Sequence, residues 1–348
     1  MTSPDGATPS PVPTIRAGAA GRAGVALRVA TVTLNPAIDV TYEVPALVVD
    51  DVVRVRDVRV RAGGKGVNVA AVAAHLGAEP TALVLTGGRA GAELTEGLAT
   101  LGLRTLTVDA LTDVRRTVAV VADDGTTTSL QEAGASVRDP DQLTGQVLAA
   151  VDDLLAQGVR AVAVSGSLPP GCPVDLPARI ARRCLDLGVP VVVDTSGAAL
   201  AAVAGSGAIL TPNRDELAEL VGGAVADGDV VAAAGLLVRG GAPAVVVTLG
   251  PDGVVGVTAT GALAARPPVA VRGNPTGAGD AAVAALLLHL AAAGDAAHVD
   301  WPEALADMVA TSAACVLRPV AGEIDRASRD AWLPDVRVQV LGKDGGGR

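Results

Sequence analysis

The 348-residue sequence contains no phenylalanine, a single tyrosine (Tyr42) and two tryptophans, so aromatic residues are only 1% of the chain. Hydrophobic residues nevertheless reach 50%, and a sizeable core must therefore be built from Val, Leu and Ala. Cores of this composition are typical of parallel sheets whose two faces are both covered by helices. The scarcity of aromatic residues thus favours an α/β protein.

Cysteine and histidine are also scarce, with three residues of each type. Cys172, Cys184 and Cys315 form no Cys-x-x-Cys pair, and neither they nor the histidines have the spacing of a metal site. His75 and His289 lie in apolar helical stretches, where a packing or surface role is expected. These patterns exclude a disulfide framework and a zinc site of the usual spacing, and indicate a reducing compartment.

The sequence has fewer basic than acidic residues, 27 Lys and Arg against 37 Asp and Glu, for a net charge of −10. This balance disfavours a nucleic-acid partner or an anionic membrane, although a small phosphorylated substrate can still bind in a local basic pocket. No apolar run reaches the roughly 17–25 residues of a membrane span. Residues 1–24, rich in Pro, Gly, Ser and Thr, predict a disordered tail. Together these absences predict a cytoplasmic protein.

From residue 25 to about residue 340, β-branched runs alternate with Ala- and Leu-rich runs. The alternation predicts one doubly wound α/β domain with a mostly parallel sheet flanked by helices. The predicted strands are 26–34, 82–85, 118–122, 159–164, 189–194, 208–210, 244–249 and 269–271. The predicted helices are 67–76, 90–101, 141–156, 175–187, 215–221, 229–239 and 280–292.

Two β-rich segments, about 40–62 and 113–131, interrupt this alternation. The second predicts a hairpin that turns at Asp123-Asp124-Gly125. We interpret both as strands of a small β lid over the ligand site, with edge strands of the main sheet as the alternative. Polar residues follow most predicted strands, including Asn35, Ser165 and Asp194. Because ligands of such folds bind beyond the carboxyl ends of the strands, these residues predict a shared cleft.

The stretch Gly277-Ala278-Gly279-Asp280 places a lone acid at the start of an apolar helix. Backbone N–H groups at a helix start lack intrahelical acceptors, and the helix dipole favours anions there. Beside a bound phosphate, Asp280 could accept the proton of an attacking hydroxyl group. An ordinary N-cap would give the same pattern.

A second motif, AGGKGVNVA, surrounds Lys65 with Gly63, Gly64 and Gly66 and places Asn68 at the start of a helix. It is not a Walker A loop, because Gly66 stands where Ser or Thr is required. The backbone and Asn68 can contact a polyol, and Lys65 an anionic group. A flexible turn with a solvated lysine is the alternative.

These two motifs, in this order, resemble the signatures of the PfkB (ribokinase-like) carbohydrate kinase family. "SGSLPPG", "DTSG" and "TPNRDEL" are most similar to its 1-phosphofructokinase and tagatose-6-phosphate kinase branch. The resemblance implies a ribokinase-like fold, ATP and Mg²⁺, with Asp280 as catalytic base and Gly277, Ala278 and Gly279 as anion hole. On the acceptor side it implies roles for Asp39, Gly64, Asn68 and Arg115, and Lys65 has the charge to join them. On the nucleotide side it implies Thr248, Gly250 and Gly253, with Asn213 and Glu216 acting on Mg²⁺ through water.

Four positions depart from the family pattern: Ala71, Thr117, Thr211 and Pro275. They bear on the choice of sugar phosphate and nucleotide, and none is the proposed base. The resemblance implies phosphorylation of fructose 1-phosphate to fructose 1,6-bisphosphate, with fructose 6-phosphate or tagatose 6-phosphate as alternatives. A kinase of an unphosphorylated sugar or nucleoside and a non-catalytic sugar-phosphate-binding protein remain further alternatives. The lid could form the interface of a homodimer.

Overall fold

The computed structural model describes residues 26–342, so the predicted tail, residues 1–24, lies outside the described residues. The strands are β1 Arg28–Thr33, β2 Ala37–Val44, β3 Asp57–Gly63, β4 Glu79–Thr86, β5 Arg104–Asp109, β6 Arg115–Ala122, β7 Thr127–Gln131, β8 Val162–Ser165, β9 Val191–Asp194, β10 Ile209–Leu210, β11 Ala244–Thr248, β12 Val254–Thr258, β13 Gly261–Arg266 and β14 Arg337–Leu341. The helices are α1 Lys65–His75, α2 Gly88–Thr100, α3 Pro140–Ala156, α4 Leu176–Asp186, α5 Gly197–Val203, α6 Arg214–Val221, α7 Val230–Arg239, α8 Ala278–Ala293, α9 Trp301–Val316 and α10 Arg326–Trp332.

The main sheet has ten strands in the order β14-β13-β12-β11-β10-β9-β8-β1-β4-β5. The seven strands from β11 to β5 are parallel, and β12, β13 and β14 add an antiparallel edge. Val, Leu and Ala fill one core cluster on each face of this sheet, and α1, α8 and α9 cover one of the two faces. The predicted doubly wound, mostly parallel sheet is therefore confirmed.

A second sheet of four strands, in the order β3-β2-β6-β7, forms the lid. Strand β2 pairs antiparallel with β3 and parallel with β6, and β6 and β7 form the hairpin predicted at 123–125. The register places Asp39 opposite both Arg61 and Thr117, and places Arg115 opposite Ala37. Because side chains two apart on a strand share a face, Asp39, Arg61, Arg115 and Thr117 point to one side of the lid.

The predicted strand 269–271 is wrong, because residues 267–277 run as an irregular segment after β13. Pro267 and Pro268 lack the backbone N–H that a sheet ladder needs, and this explains why the pairing ends at Arg266. Strand 118–122 exists as β6 and belongs to the lid, as predicted for the segment 113–131. Strands β5, β12, β13 and β14 and helices α5, α9 and α10 were not predicted. No helix within residues 26–342 combines the length and hydropathy needed to cross a membrane.

Candidate active site

Helix α8 begins after Gly277, whose φ of 83° lies in the left-handed region. A Cβ at this position would lie 2.6 Å from the Cβ of Ala321, so the tight turn needs glycine for both conformation and space. The N–H of Ala278 donates to the carbonyl of Pro275 at 3.1 Å. Within the described part of the chain, the N–H groups of Gly277 and Gly279 have no such acceptor. Of the three amides in the predicted anion hole, those of Gly277 and Gly279 are therefore open, that is, available to a ligand. The amide of Ala278 is used in the hydrogen bond that closes the turn.

Asp280 lies in the first turn of α8 and is only 5% exposed. Burial disfavours its charged form and is the main reason why the pKa of Asp280 is raised to about 7. The ammonium of Lys65 and a hydrogen bond from Asn68 act in the opposite direction, while the carboxylates of Asp194 and Asp39 raise the pKa further. A carboxyl group with a pKa near 7 suits a general base at neutral pH.

Asn68 joins the two glycine motifs across the core. Its Nδ2 donates to Oδ2 of Asp280 at 2.9 Å, although the two residues are 212 positions apart. Helices α1 and α8 are in contact, and small buried residues such as Ala73, Ala281 and Ala284 belong to one core cluster. This packing brings Asn68 to Asp280 and leaves Oδ1 of Asp280 free of a protein donor within residues 26–342.

Lys65 is the first residue of α1, where a cation opposes the helix dipole. Its Nζ lies 3.2 Å from Oδ2 and 3.3 Å from Oδ1 of Asp194, which is buried at the end of β9. Burial acts to lower the pKa of Lys65, but Asp194, Asp280 and Glu216 outweigh it, so this pKa lies above the ordinary value. The side chain remains 44% exposed, and the cleft therefore contains a permanent cation beside the base.

Asp39 projects from β2 toward the glycine motif. Its Oδ1 accepts a hydrogen bond from the Thr117 hydroxyl at 2.5 Å. A Cβ on Gly63 would lie 1.9 Å from Oδ2 of Asp39, so this glycine gives the carboxylate its space. Burial raises the pKa of Asp39, and Thr117, Arg61 and the Gly64 amide oppose that shift.

Arg115 lies at the start of β6, on the same face of the lid as Asp39. Its Nη1 donates to the carbonyl of Glu132 at 2.9 Å, while Nε is buried without a partner within the described residues. Burial lowers the pKa of this guanidinium, and Asp39 and Glu132 act against the shift. Arg116 faces the other side of the strand and pairs with Glu93 at 3.0 Å. Arg115 therefore keeps an unpaired donor on the face of the lid that carries Asp39, whereas Arg116 lies on the other face.

Three of the residues predicted on the nucleotide side lie at one cavity of about 740 Å³, whereas Asn213 and Glu216 are not among its lining residues. Thr248, Gly250 and Gly253 line it together with Ala278 and Gly279 at the start of α8. Two arginines that the sequence pattern did not indicate, Arg266 and Arg272, also line this cavity. Arg266 ends β13, a strand that was not predicted, and Arg272 lies in the irregular segment after it, so no sequence signal placed them at the site.

Asn213 and Glu216 form a reciprocal capping box at the start of α6. Asn213 Oδ1 accepts from the N–H of Glu216, and Glu216 Oε2 accepts from the N–H of Asn213, both at 2.9 Å. The capping box accounts for the N-x-x-E spacing by itself. Glu216 Oε1 has no donor within residues 26–342 and is the oxygen free for other use. Burial raises the pKa of Glu216, and Lys65 opposes this.

No cluster of three metal-ligating side chains occurs in the described ranges. Mg²⁺ usually keeps several waters and binds one or two carboxylates together with substrate phosphates. A single free oxygen on Glu216, near the charges of Lys65 and Asp194, fits a metal held in that way.

The four departures from the family pattern have local explanations. Thr117 replaces the expected Asn yet still donates to Asp39. Ala71 is buried in α1, and Thr211 is buried with its hydroxyl donating to the carbonyl of Val193 at 3.3 Å. Pro275 supplies the carbonyl that accepts from Ala278. Each substitution is therefore accommodated by packing or by a hydrogen bond.

A model of the pfkB family carbohydrate kinases matches residues 32–326. The chain belongs to this family. One relative is a 1-phosphofructokinase from Rhodobacter capsulatus, 37% identical over 271 residues that span 75% of this chain and 83% of the relative. Another is a 1-phosphofructokinase from Xanthomonas campestris pv. campestris, also 37% identical, with 75% and 84% of the two chains covered. The predicted family and its 1-phosphofructokinase branch are thus confirmed, and the protein is a carbohydrate kinase.

Solved structures of pfkB kinases have the same fold. Phosphofructokinase-2 from Escherichia coli superimposes with a TM-score of 0.78 at 29% identity, covering 88% of this chain and 98% of that one. A possible 1-phosphofructokinase from Thermotoga maritima has a TM-score of 0.81 at 24% identity, with 90% and 100% covered. The second likeness shows the fold alone. The ribokinase-like fold predicted from the sequence is confirmed.

Proposed function

We propose that this kinase transfers the γ-phosphoryl group of ATP to the free primary hydroxyl of fructose 1-phosphate, forming fructose 1,6-bisphosphate and ADP. The observation that carries the proposal is the position of Asp280, a buried carboxyl group with a raised pKa beside the open amides of α8. The names of the two bacterial relatives support the choice of fructose 1-phosphate.

In this mechanism Asp280 accepts the proton of the acceptor hydroxyl as its oxygen bonds to the γ-phosphorus. The bond from that phosphorus to the bridging oxygen of ADP breaks, and ADP keeps the electron pair. The amides of Gly277 and Gly279 stabilise the negative charge on the transferred group. Lys65, fixed by Asp194, adds a positive charge on the acceptor side. Glu216 and Asn213 would hold Mg²⁺ through water, and the metal would supply positive charge to the phosphates when bound.

Recognition of the acceptor depends on its own phosphate. Arg115 offers a buried Nε without a partner among the described residues, and a guanidinium matches the oxygens of a phosphate. Asp39 and Gly64 would bind the sugar hydroxyls from the lid and the glycine motif. Lid closure would exclude water and limit hydrolysis of ATP.

A substrate panel with MgATP tests this function. Fructose 1-phosphate, fructose 6-phosphate, tagatose 6-phosphate, fructose and ribose are each assayed for ADP release and for product mass. We expect the highest kcat/KM with fructose 1-phosphate. Preference for a 6-phosphate would change the substrate but keep the mechanism, and preference for a free sugar would remove the role of Arg115. Absence of turnover with every acceptor would favour a non-catalytic binding protein.

The lid also supports a homodimer. Its edge strands expose Val58, Val60 and Leu130, and the neighbouring loop exposes Val49 and Val52. Apolar patches of this kind are typical of protein interfaces. Light scattering after chromatography should give twice the chain mass, and V60K should shift the protein toward monomer.

We place the kinase in the cytoplasm, since all three cysteines are free thiols.

A further inference from the structure

Arg61, which the sequence analysis did not single out, reaches from lid strand β3 to the loop between α9 and α10. Its Nη1 donates to the carbonyl of Ala321, 260 residues along the chain. Its Nε points to the carbonyl of Ala62 at 3.4 Å. The contact joins the lid to the loop that packs on the start of α8, because Ala321 also contacts Gly277.

Two buried polar atoms converge at this contact. Nη2 of Arg61 and Oδ1 of Asn68 are both buried without a hydrogen-bond partner in residues 26–342. Both lie beside Gly322, since a Cβ there would be 2.7 Å from Arg61 Nη2 and 3.1 Å from Asn68 Oδ1. One atom is a donor and the other an acceptor. Buried groups of this kind are normally paired, and these two complementary atoms lie so near the same glycine that a small rotation of the Arg61 side chain would join them.

The orientation of the Asn68 amide decides what Asp280 meets. Asn68 Nδ2 donates to Asp280 Oδ2 at 2.9 Å. If the amide were turned over, its oxygen would face the carboxylate instead, and two acceptors would repel each other. A donor that holds Oδ1 of Asn68 therefore keeps Nδ2 on the base. Arg61 Nη2, unpaired within the described residues and beside the same glycine as Oδ1 of Asn68, is available to act as that donor.

We propose that Arg61 is a positioning residue for phosphoryl transfer: its guanidinium bridges Ala321 and Asn68, and thereby fixes the Asn68 amide that orients Asp280. This inference rests on the proposed function of Asp280. It couples the position of the lid to the geometry of the base, because Arg61 belongs to β3 and Asn68 to α1. The next arginine on the same face of β3, Arg59, pairs with Glu43 and Asp57 instead and serves as its matched control.

The experiment measures kcat and KM by ADP release for wild type, R61M, N68A, R61M/N68A and R59M, with fructose 1-phosphate and MgATP. Misplacement of a reacting group by about 1 Å can cost about 100-fold. We expect R61M to lower kcat roughly 10- to 100-fold, with little change in KM for the sugar phosphate. The double variant should be no slower than N68A alone, because Arg61 acts through Asn68. R59M should match wild type.

Either of two results would overturn the proposal. The reductions in kcat caused by R61M and by N68A could multiply in the double variant, or R61M could raise KM for the sugar phosphate at unchanged kcat. The second would mean that Arg61 binds the acceptor phosphate directly. If R61M does not fold, as judged by circular dichroism, R61K replaces it both as a single variant and in combination with N68A. The same two results would then overturn the proposal. Turnover by wild type together with its loss in D280N tests the proposed function separately, so the two failures can be told apart.

Discussion

The two sides of Asp280 are built differently. On the acceptor side, charged and polar side chains from the lid and from α1 crowd together, with Asp39, Lys65 and Arg115 in a network around the base. On the nucleotide side, the cavity of about 740 Å³ is lined mostly by glycine, proline, alanine and valine. We therefore expect charged side chains to dominate selection on the acceptor side, and shape and backbone amides, together with Arg266 and Arg272, to dominate it on the nucleotide side. Substitutions on the two sides should affect different kinetic constants.

The largest effect should come from the residue between the two sides. D280N keeps the shape of the side chain but cannot take a proton at neutral pH. General base catalysis typically contributes about 10²- to 10⁴-fold, so we expect kcat to fall by about 10³-fold with both KM values nearly unchanged. ADP release measures this. D141N, which changes an exposed acid in the first turn of α3, is the control and should leave kcat unaltered.

On the acceptor side, R115Q should raise KM for fructose 1-phosphate by about 10- to 100-fold, because a charged hydrogen bond to phosphate contributes about 1.5–3 kcal/mol. KM for ATP should change little. R116Q is the matched control, since Arg116 pairs with Glu93 on the other face of β6. Equal KM values for fructose 1-phosphate in wild type and R115Q would show that Arg115 of the lid does not bind the acceptor phosphate.

On the nucleotide side, G279A should lower kcat/KM for ATP by about tenfold, equivalent to about 1.4 kcal/mol, because a methyl group would obstruct the open amides that stabilise the transferred group. Nothing lies within 4 Å of a Cβ at position 279, so folding should be unimpaired. G145A, at an exposed site in α3 that is equally open, should leave kcat/KM for ATP unchanged. A rise in KM for the sugar phosphate in G279A would contradict the division between the two sides.

The smallest effect should come from T117N, which restores the residue expected from the family pattern. An asparagine amide can also donate to Asp39, replacing the hydroxyl that does so at 2.5 Å. A change of one such donor for another should alter kcat/KM by less than about threefold, that is by under about 1 kcal/mol. A much larger change in the ratio of activities on fructose 1-phosphate and tagatose 6-phosphate would instead make Thr117 a determinant of specificity.

The parts of the fold predicted from the sequence are those with strong local patterns. The lid hairpin and helices such as α1 and α8 were correctly predicted from composition and turn residues. Strands β12, β13 and β14 were missed because they form the antiparallel edge, where the alternation of strands and helices no longer applies. The strand predicted at 269–271 is absent, since the ladder of β13 ends at Arg266 before Pro267 and Pro268, which lack the N–H that a ladder needs.

The site was predicted only as a set of separate motifs. Polar residues after strands gave Asp39, Asp194 and Asn213, since a parallel sheet places strand ends together. The contact of Asn68 with Asp280 spans 212 residues, and the pairing of Lys65 with Asp194 spans 129. Such pairs depend on helix packing, which has no local signal in one sequence. Arg61 was missed for the same reason, because its partner Ala321 comes from a distant loop.

The most direct test of the central claim is the pH dependence of kcat from pH 5 to pH 9 at saturating substrates, in wild type and in D280N. Below its pKa of about 7, Asp280 holds a proton and cannot accept another. Wild-type kcat should therefore rise about tenfold per pH unit up to pH 7 and then level off. Ionisation of the substrate phosphates is common to both proteins, so only wild type should show this limb. The same limb in D280N, or a flat wild-type profile, would contradict the assignment of Asp280 as the base.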